Sequence, residues 1–143
     1  MDDSLDRGAS VTPQKRLWTW ALIGWIGLIF FSSTSVAGER SERAFSYFSI
    51  LFLARLQTSA LFERVVHLLA DKGVHIGLFS VLGILLWKVL PSTRRKIAIV
   101  LLWGAVVGSC SEFLQRFFPG RDPALSDIVI NIAGTAIGIA ISM

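Results

Sequence analysis

Three short groups of polar residues in this chain can do chemistry. Asp71, Lys72 and His75 form the first, Glu112 and Gln115 the second, and Arg121, Asp127 and Asn131 the third. Asp71 and His75 are four residues apart, so on a helix they stand on one face with Lys72 beside them. Glu112 and Gln115 share a face with Gly104 and Gly108. Asp127 and Asn131 share one with Gly134 and Gly138. If the two glycine stripes pack together, Glu112, Gln115, Asp127 and Asn131 converge, with Arg121 over them. An imidazole such as that of His75 can act as a general base with Asp71 one turn away, and Glu112 can be a second acid or base. Lys72 and Arg121 can hold a phosphate or carboxylate, the first as a point charge and the second as a planar fork.

Each group also has an ordinary structural use. Glycines four apart are most often packing surfaces, Asn131 can bracket two helices, and Asp71-Lys72 can simply mark a water boundary. A mixed set of Asp71, His75, Glu112 and Asp127 suits a divalent ion, but its ligands come from three segments without a local motif. It ranks below the reading in which Lys72 and Arg121 neutralise the acids, so no metal and no cofactor is assigned. There is no nucleophile elbow, no cysteine at the mouth of the spans and no phosphate-binding glycine loop.

All three groups border apolar runs. Of 143 residues 53% are hydrophobic and only 17% charged, too apolar for a soluble domain of this size to cover. Charge at the mouth of a membrane segment is costly unless paired or used. The composition and the absence of period-two alternation indicate an all-α membrane protein of one domain. Net charge is +4, but the basic residues flank apolar runs and form no nucleic-acid-binding tract. The lone Cys110 permits no intrachain disulfide.

Residues 1–14 have almost nothing to bury and read as a cytoplasmic tail. Four spans follow, at about 17–37, 73–90, 97–115 and 125–143. A cleavable signal ending at Ser35-Val36-Ala37 is the rival for the first, disfavoured by Trp and Phe as far as Phe31. Between the first two spans, 40–70 carries interrupted apolar clusters. Phe45, Phe48, Phe52 and Leu56, then Leu61, Val65, Leu68 and Leu69, recur at helical spacing, as expected of amphipathic helices in the interface or of a re-entrant hairpin. The uncharged runs of spans two to four are only about 15 residues, about 23 Å of helix against about 30 Å of hydrocarbon. Polar residues must therefore enter the bilayer's outer edge.

Lys15 and Arg16 precede the first span, and Lys88, Arg94, Arg95 and Lys96 lie between the second and third. Basic residues are retained in the cytoplasm, so four spans with both termini cytoplasmic satisfy both groups. The basic content of 39–72 opposes this, although four acids are interleaved there. On this topology all three polar groups face outward, together with Ser32 and Ser33 at the end of the first span.

The order of these motifs resembles the VanZ-like family, named for a teicoplanin-resistance membrane protein. Phe31-Ser32-Ser33 looks like its Phe-Ser-Ser element, and Asp71-Lys72-Gly73-Val74-His75 like its Asp-Lys-x-x-His. Glu112-x-x-Gln115, Pro119-Gly120-Arg121, Asp127, Asn131, Gly134 and Gly138 match its C-terminal signature in order and spacing, and the likeness runs from about Leu17 onward. Ser111 stands where the family commonly has Asp, and Thr34 where it often has Gln, so no adjacent acidic pair is available at 111–112. The resemblance implies a multi-pass protein of the bacterial inner membrane and cell envelope, with glycopeptide (teicoplanin) resistance attached to one branch. It supplies no established reaction. The expected function is binding or modulation of a lipid headgroup, lipid-linked cell-wall intermediate or glycopeptide, with Lys72, Gln115, Arg121, Asp127, Asn131, Ser32 and Ser33 as binding residues. The alternative is a membrane-embedded hydrolase or transferase on a lipid-linked substrate, with His75, Glu112 and Asp71 as candidate catalytic groups. A third reading packs the glycine faces against a membrane-protein partner, and transport is disfavoured because no internal repeat is present.

Overall fold

The computed structural model describes residues 12–34, 60–119 and 123–143, and all regular structure among them is helical. Four helices follow one another: α1 Pro13–Ser32, α2 Ala60–Val89, α3 Lys96–Gln115 and α4 Leu125–Ser142. Pro13 sits in the first turn of α1, where its missing N–H removes no helical bond. At the other end the Ser32 and Thr34 hydroxyls donate back to the carbonyls of Ile29 and Phe31, at 2.7 and 2.8 Å. Helix α2 stops at Val89, two residues before Pro91, which disfavours a helical residue ahead of it.

Three stretches are long and apolar enough to cross a membrane: Leu68–Val89, Lys96–Gln115 and Leu125–Ser142, of 22, 20 and 18 residues. At the helical rise these measure about 27–33 Å, close to the hydrocarbon thickness. They reach it only because Asp71, Lys72, Glu112, Gln115, Asp127 and Asn131 are counted in. Helix α1 begins four residues earlier than the expected first span and ends at Ser32; its polar first turn, Pro13 to Arg16, dilutes its apolar character. Residues 35–59, with the rest of the expected first span, the Ser35-Val36-Ala37 stretch and the first of the two amphipathic clusters, lie outside the described residues.

No break in the helix stands near residue 70, where the second span is expected to open. The Leu61–Leu69 cluster, expected as a separate interfacial helix, is the opening part of α2, which runs unbroken from Ala60. Charged residues lower local hydropathy without interrupting backbone hydrogen bonds, and no Gly or Pro stands between 60 and 72 to end the helix.

The buried core is Ile29 of α1, Phe79, Leu82 and Leu86 of α2, Val100 and Val107 of α3, and Ile139 of α4. Packing is most extensive between α2 and α4, then between α3 and α4, and then between α1 and α2. Lipid tails are as apolar as these side chains, so close backbone approach through small residues must supply much of the association. Gly104 and Gly108 of α3 lie against Thr135 and Asn131 of α4. The second stripe departs from expectation: Gly134 and Gly138 face Ile76, Phe79, Ser80 and Gly83 of α2, not α3. Positions 131 and 135 are offset from 134 and 138 around the helix, so α4 presents one small-residue face to each neighbour.

Helix α1 joins through polar contacts at two heights. The Trp25 indole Nε1–H donates to the Leu78 carbonyl at 2.9 Å, and Ser33 Oγ lies 2.6 Å from Ser111 Oγ. These contacts place the C-terminal ends of α1 and α3 beside the polar part of α2 and the start of α4. At the opposite end stand Lys15, Arg16, Lys88, Arg94, Arg95 and Lys96, the last with its ammonium 4.4 Å from the centre of the Trp87 ring.

Candidate functional site

The polar end of the bundle is built on α2 and α4, completed by the C-terminal end of α3. Lys72 of α2 donates to Asp127 Oδ1 in the first turn of α4 at 2.5 Å, and its ammonium also lies 3.4 Å from Asp71 Oδ2. Asp127 is 5% exposed, and Ser126 Oγ donates to the same Oδ1 at 3.2 Å. A carboxylate in a first helical turn is also stabilised by the helix dipole, so Asp127 is held by an ammonium, a hydroxyl and the N-terminus of α4 together.

One turn further into the bundle, His75 Nδ1 lies 3.1 Å from Asn131 Oδ1. An amide oxygen only accepts, so Nδ1–H is the donor in this contact, and in a neutral ring Nε2 would then be the accepting nitrogen. Asn131 is fully buried, and its Nδ2 has no hydrogen-bond partner among the described residues. Its Cβ packs against Gly108, where an added β-carbon would come within 3.1 Å. The glycine of α3 thus lets α4 approach closely enough for Asn131 to reach α2.

Glu112 is buried at 4% exposure and within electrostatic reach of His75, Asp127 and Lys72. Its Oε2 accepts the backbone N–H of Ala124, the residue preceding α4, at 3.3 Å, and its Oε1 accepts from Gln115 Nε2 at 3.5 Å. With both oxygens engaged, Glu112 ties the end of α3 to the beginning of α4.

Asp71, Lys72, His75, Glu112, Gln115, Asp127 and Asn131 are therefore gathered at one end of the bundle, as their spacing suggests. Ser33 reaches this end through Ser111, the neighbour of Glu112, while Ser32 donates into its own helix. Arg121 lies outside the described residues. Sequence reasoning passed over Ser111, read only as a departure from a pattern, and Thr135, which is fully buried against Gly104 with its hydroxyl donated to the Asn131 carbonyl. Thr135 follows Asn131 by one helical turn, which is the signal that would have found it.

A ring nitrogen of His75 and one carboxylate oxygen each from Asp71 and Asp127 lie within 4.8 Å of one another, close enough for a shared ligand. Charge, imidazole and buried amide meet where long apolar helices end. That arrangement defines a helical membrane protein with a polar cluster set into one edge of its apolar bundle. The chain belongs to the VanZ/LLP1 family, whose model matches residues 18–143 and so takes in every one of these residues. No curated protein matches the chain. No solved structure matches it either.

Proposed function

We propose that this VanZ-like protein crosses the cytoplasmic membrane four times, with both termini inside. In this reading its outward polar cluster binds the headgroup of a lipid-linked cell-wall intermediate. The exposed apolar side chains of α1, Leu17, Trp20, Ile23, Leu28 and Phe31, support a fourth span facing lipid. The basic residues at the far end support a cytoplasmic placement of that end. The observation that carries the reading is buried Asn131 beside His75: its amide nitrogen has no partner among the described residues and is a donor that a ligand hydroxyl would satisfy. Carboxylates and amides orient sugar hydroxyls, and Lys72 with Arg121 receives phosphate, Lys72 by exchanging Asp127 for the ligand.

The test is binding of a lipid-linked sugar pyrophosphate to the full-length protein in lipid nanodiscs. Asn131→Ala keeps the β-carbon that packs on Gly108 and should weaken binding at least tenfold in protein that still folds, with some fall in the thermal midpoint because the bond to His75 is lost; equal affinity overturns the reading. In cells the same substitution should abolish any protection against teicoplanin that the wild-type chain confers.

The second reading, a hydrolase or transferase on the same class of substrate, is favoured by one contact. Asn131 accepts the His75 Nδ1–H and so aims a free Nε2 as general base. Glu112 is the weaker partner for such chemistry because both of its oxygens already have donors. Consumption of the bound compound, lost in His75→Ala while binding persists, would establish it; no consumption by the wild type would remove it.

A further inference from the structure

The polar end of the bundle gathers acidic side chains around the Lys72 ammonium. Three carboxylates, Asp71, Asp127 and Glu112, lie around one ammonium, that of Lys72, and two of the three are at least nine-tenths buried. Lys72 already shows where a cation is drawn, between Asp127 Oδ1 and Asp71 Oδ2.

The donors around that point are of types that can hold a metal ion. Two ligands at about 2.0–2.2 Å from one zinc ion stand at most about 4.4 Å apart. The donor atoms of Asp71, His75 and Asp127 lie within 4.8 Å of one another, so small side-chain rotations bring all three to a common centre. An independent observation points the same way. Metal-binding imidazoles usually give their second N–H to a supporting acceptor, which fixes the ring and frees the other nitrogen. His75 does this with Asn131, a residue 0% exposed whose remaining amide nitrogen has no partner among the described residues.

We propose that Asp71, His75 and Asp127 form a site for a divalent ion of the zinc or manganese class, and that the Lys72 ammonium is its built-in competitor. Two carboxylates and one imidazole supply three ligands and leave a further position for water or an oxygen of a bound anion. The ion displaces Lys72 from Asp127 and releases it towards that anion. Without the ion, Lys72 keeps the carboxylates neutralised and the helices together. This site stands on its own donors and does not depend on the headgroup reading.

The probe is zinc chloride alone, titrated calorimetrically into chelator-stripped full-length protein in detergent, with no lipid-linked compound present. Wild type should take up one equivalent. Asp127→Asn and Asp71→Asn should each bind at least tenfold more weakly, and Lys72→Met at least tenfold more tightly. Zinc should also raise the thermal midpoint of Lys72→Met by more than that of wild type, because the ion replaces the missing ammonium. Should Asp127→Asn fail to fold, Asp71→Asn decides, its side chain being 45% exposed. The proposal is overturned if wild type takes up no equivalent, or if Lys72→Met binds no more tightly. It is also overturned if both carboxamide variants bind like wild type, which would mean an adventitious ion only.

Discussion

Gly134 and Gly138 of α4 lie against the backbone of α2, whereas Gly24 and Gly27 of α1 have nothing within 4 Å of where a β-carbon would stand. The α2–α4 seam is made by the absence of side chains. Gly83 and Gly138 face each other so closely that a β-carbon on the second would come within 3.0 Å of the Cα of the first. Helix α1 is instead attached by side chains that reach out, through the Trp25 indole, the Ser33 hydroxyl and the buried Ile29. The seam that carries Lys72–Asp127 and His75–Asn131 is thus the rigid one, and the α1 attachment is the adjustable one. A polar cluster split between two helices keeps its geometry only if those helices cannot slide, so the tightest backbone contact belongs where the cluster is.

The largest effect that would break this contrast is a methyl group in the rigid seam. Gly138→Ala puts a β-carbon against the Ser80 carbonyl and the Gly83 Cα, both backbone atoms that cannot rotate away. Overpacking of this kind costs about 1–3 kcal/mol when side chains can adjust, and here it should reach about 3 kcal/mol in detergent unfolding, with loss of the zinc or headgroup binding proposed above. Gly77→Ala, on the same pair of helices but with nothing within 4 Å, should be neutral or stabilising by up to about 1 kcal/mol. Equal effects at the two positions would mean that the close approach of α2 and α4 is not what holds the cluster.

That pair of glycines also marks where the sequence stops being legible. Gly73 and Gly77 have the same four-residue spacing as Gly104 and Gly108 or Gly134 and Gly138, yet the first pair faces open space and the others face helices. Spacing identifies a smooth face and cannot say which neighbour, if any, covers it. For that reason the α4 stripe was expected on α3 and lies on α2. The polar end was legible for a stronger reason: charged residues bordering apolar runs have few affordable positions, and Asp71, Lys72, Glu112 and Asp127 had to be paired near an edge. The start of α2 was not legible, because hydropathy reports cost in lipid and not helical hydrogen bonding. The continuity of Ala60–Val89 is a backbone property to which Asp71 and Lys72 offer no obstacle. Ser111 was passed over for a related reason, since its partner lies 78 residues away in α1.

The adjustable attachment should yield smaller numbers. Ser33 and Ser111 are 2% and 3% exposed, and each is the other's side-chain partner. A double-mutant cycle of Ser33→Ala and Ser111→Ala should give a coupling of about 0.6–1.5 kcal/mol, the range for interhelical hydrogen bonds in membranes. Ser33 also donates to the Ile29 carbonyl of its own helix at 3.1 Å, so the coupling should fall in the lower half. A coupling near zero would leave Trp25 and Ile29 as the attachment and remove α1 from the polar end.

Trp25→Phe tests what then remains and should give the smallest change. Phenylalanine keeps an aromatic ring against the core and deletes only the donor that reaches the Leu78 carbonyl. That carbonyl is not orphaned by the change, because an oxygen inside α2 still accepts the bond of its own helix. Only the net value of one added hydrogen bond is lost, about 0.5 kcal/mol in a bilayer-like solvent. Zinc affinity should not move, since α1 supplies none of the three proposed ligands. If Trp25→Phe instead costs as much as Gly138→Ala, α1 is part of the rigid seam after all, and the distinction between helices held by missing side chains and helices held by reaching ones fails.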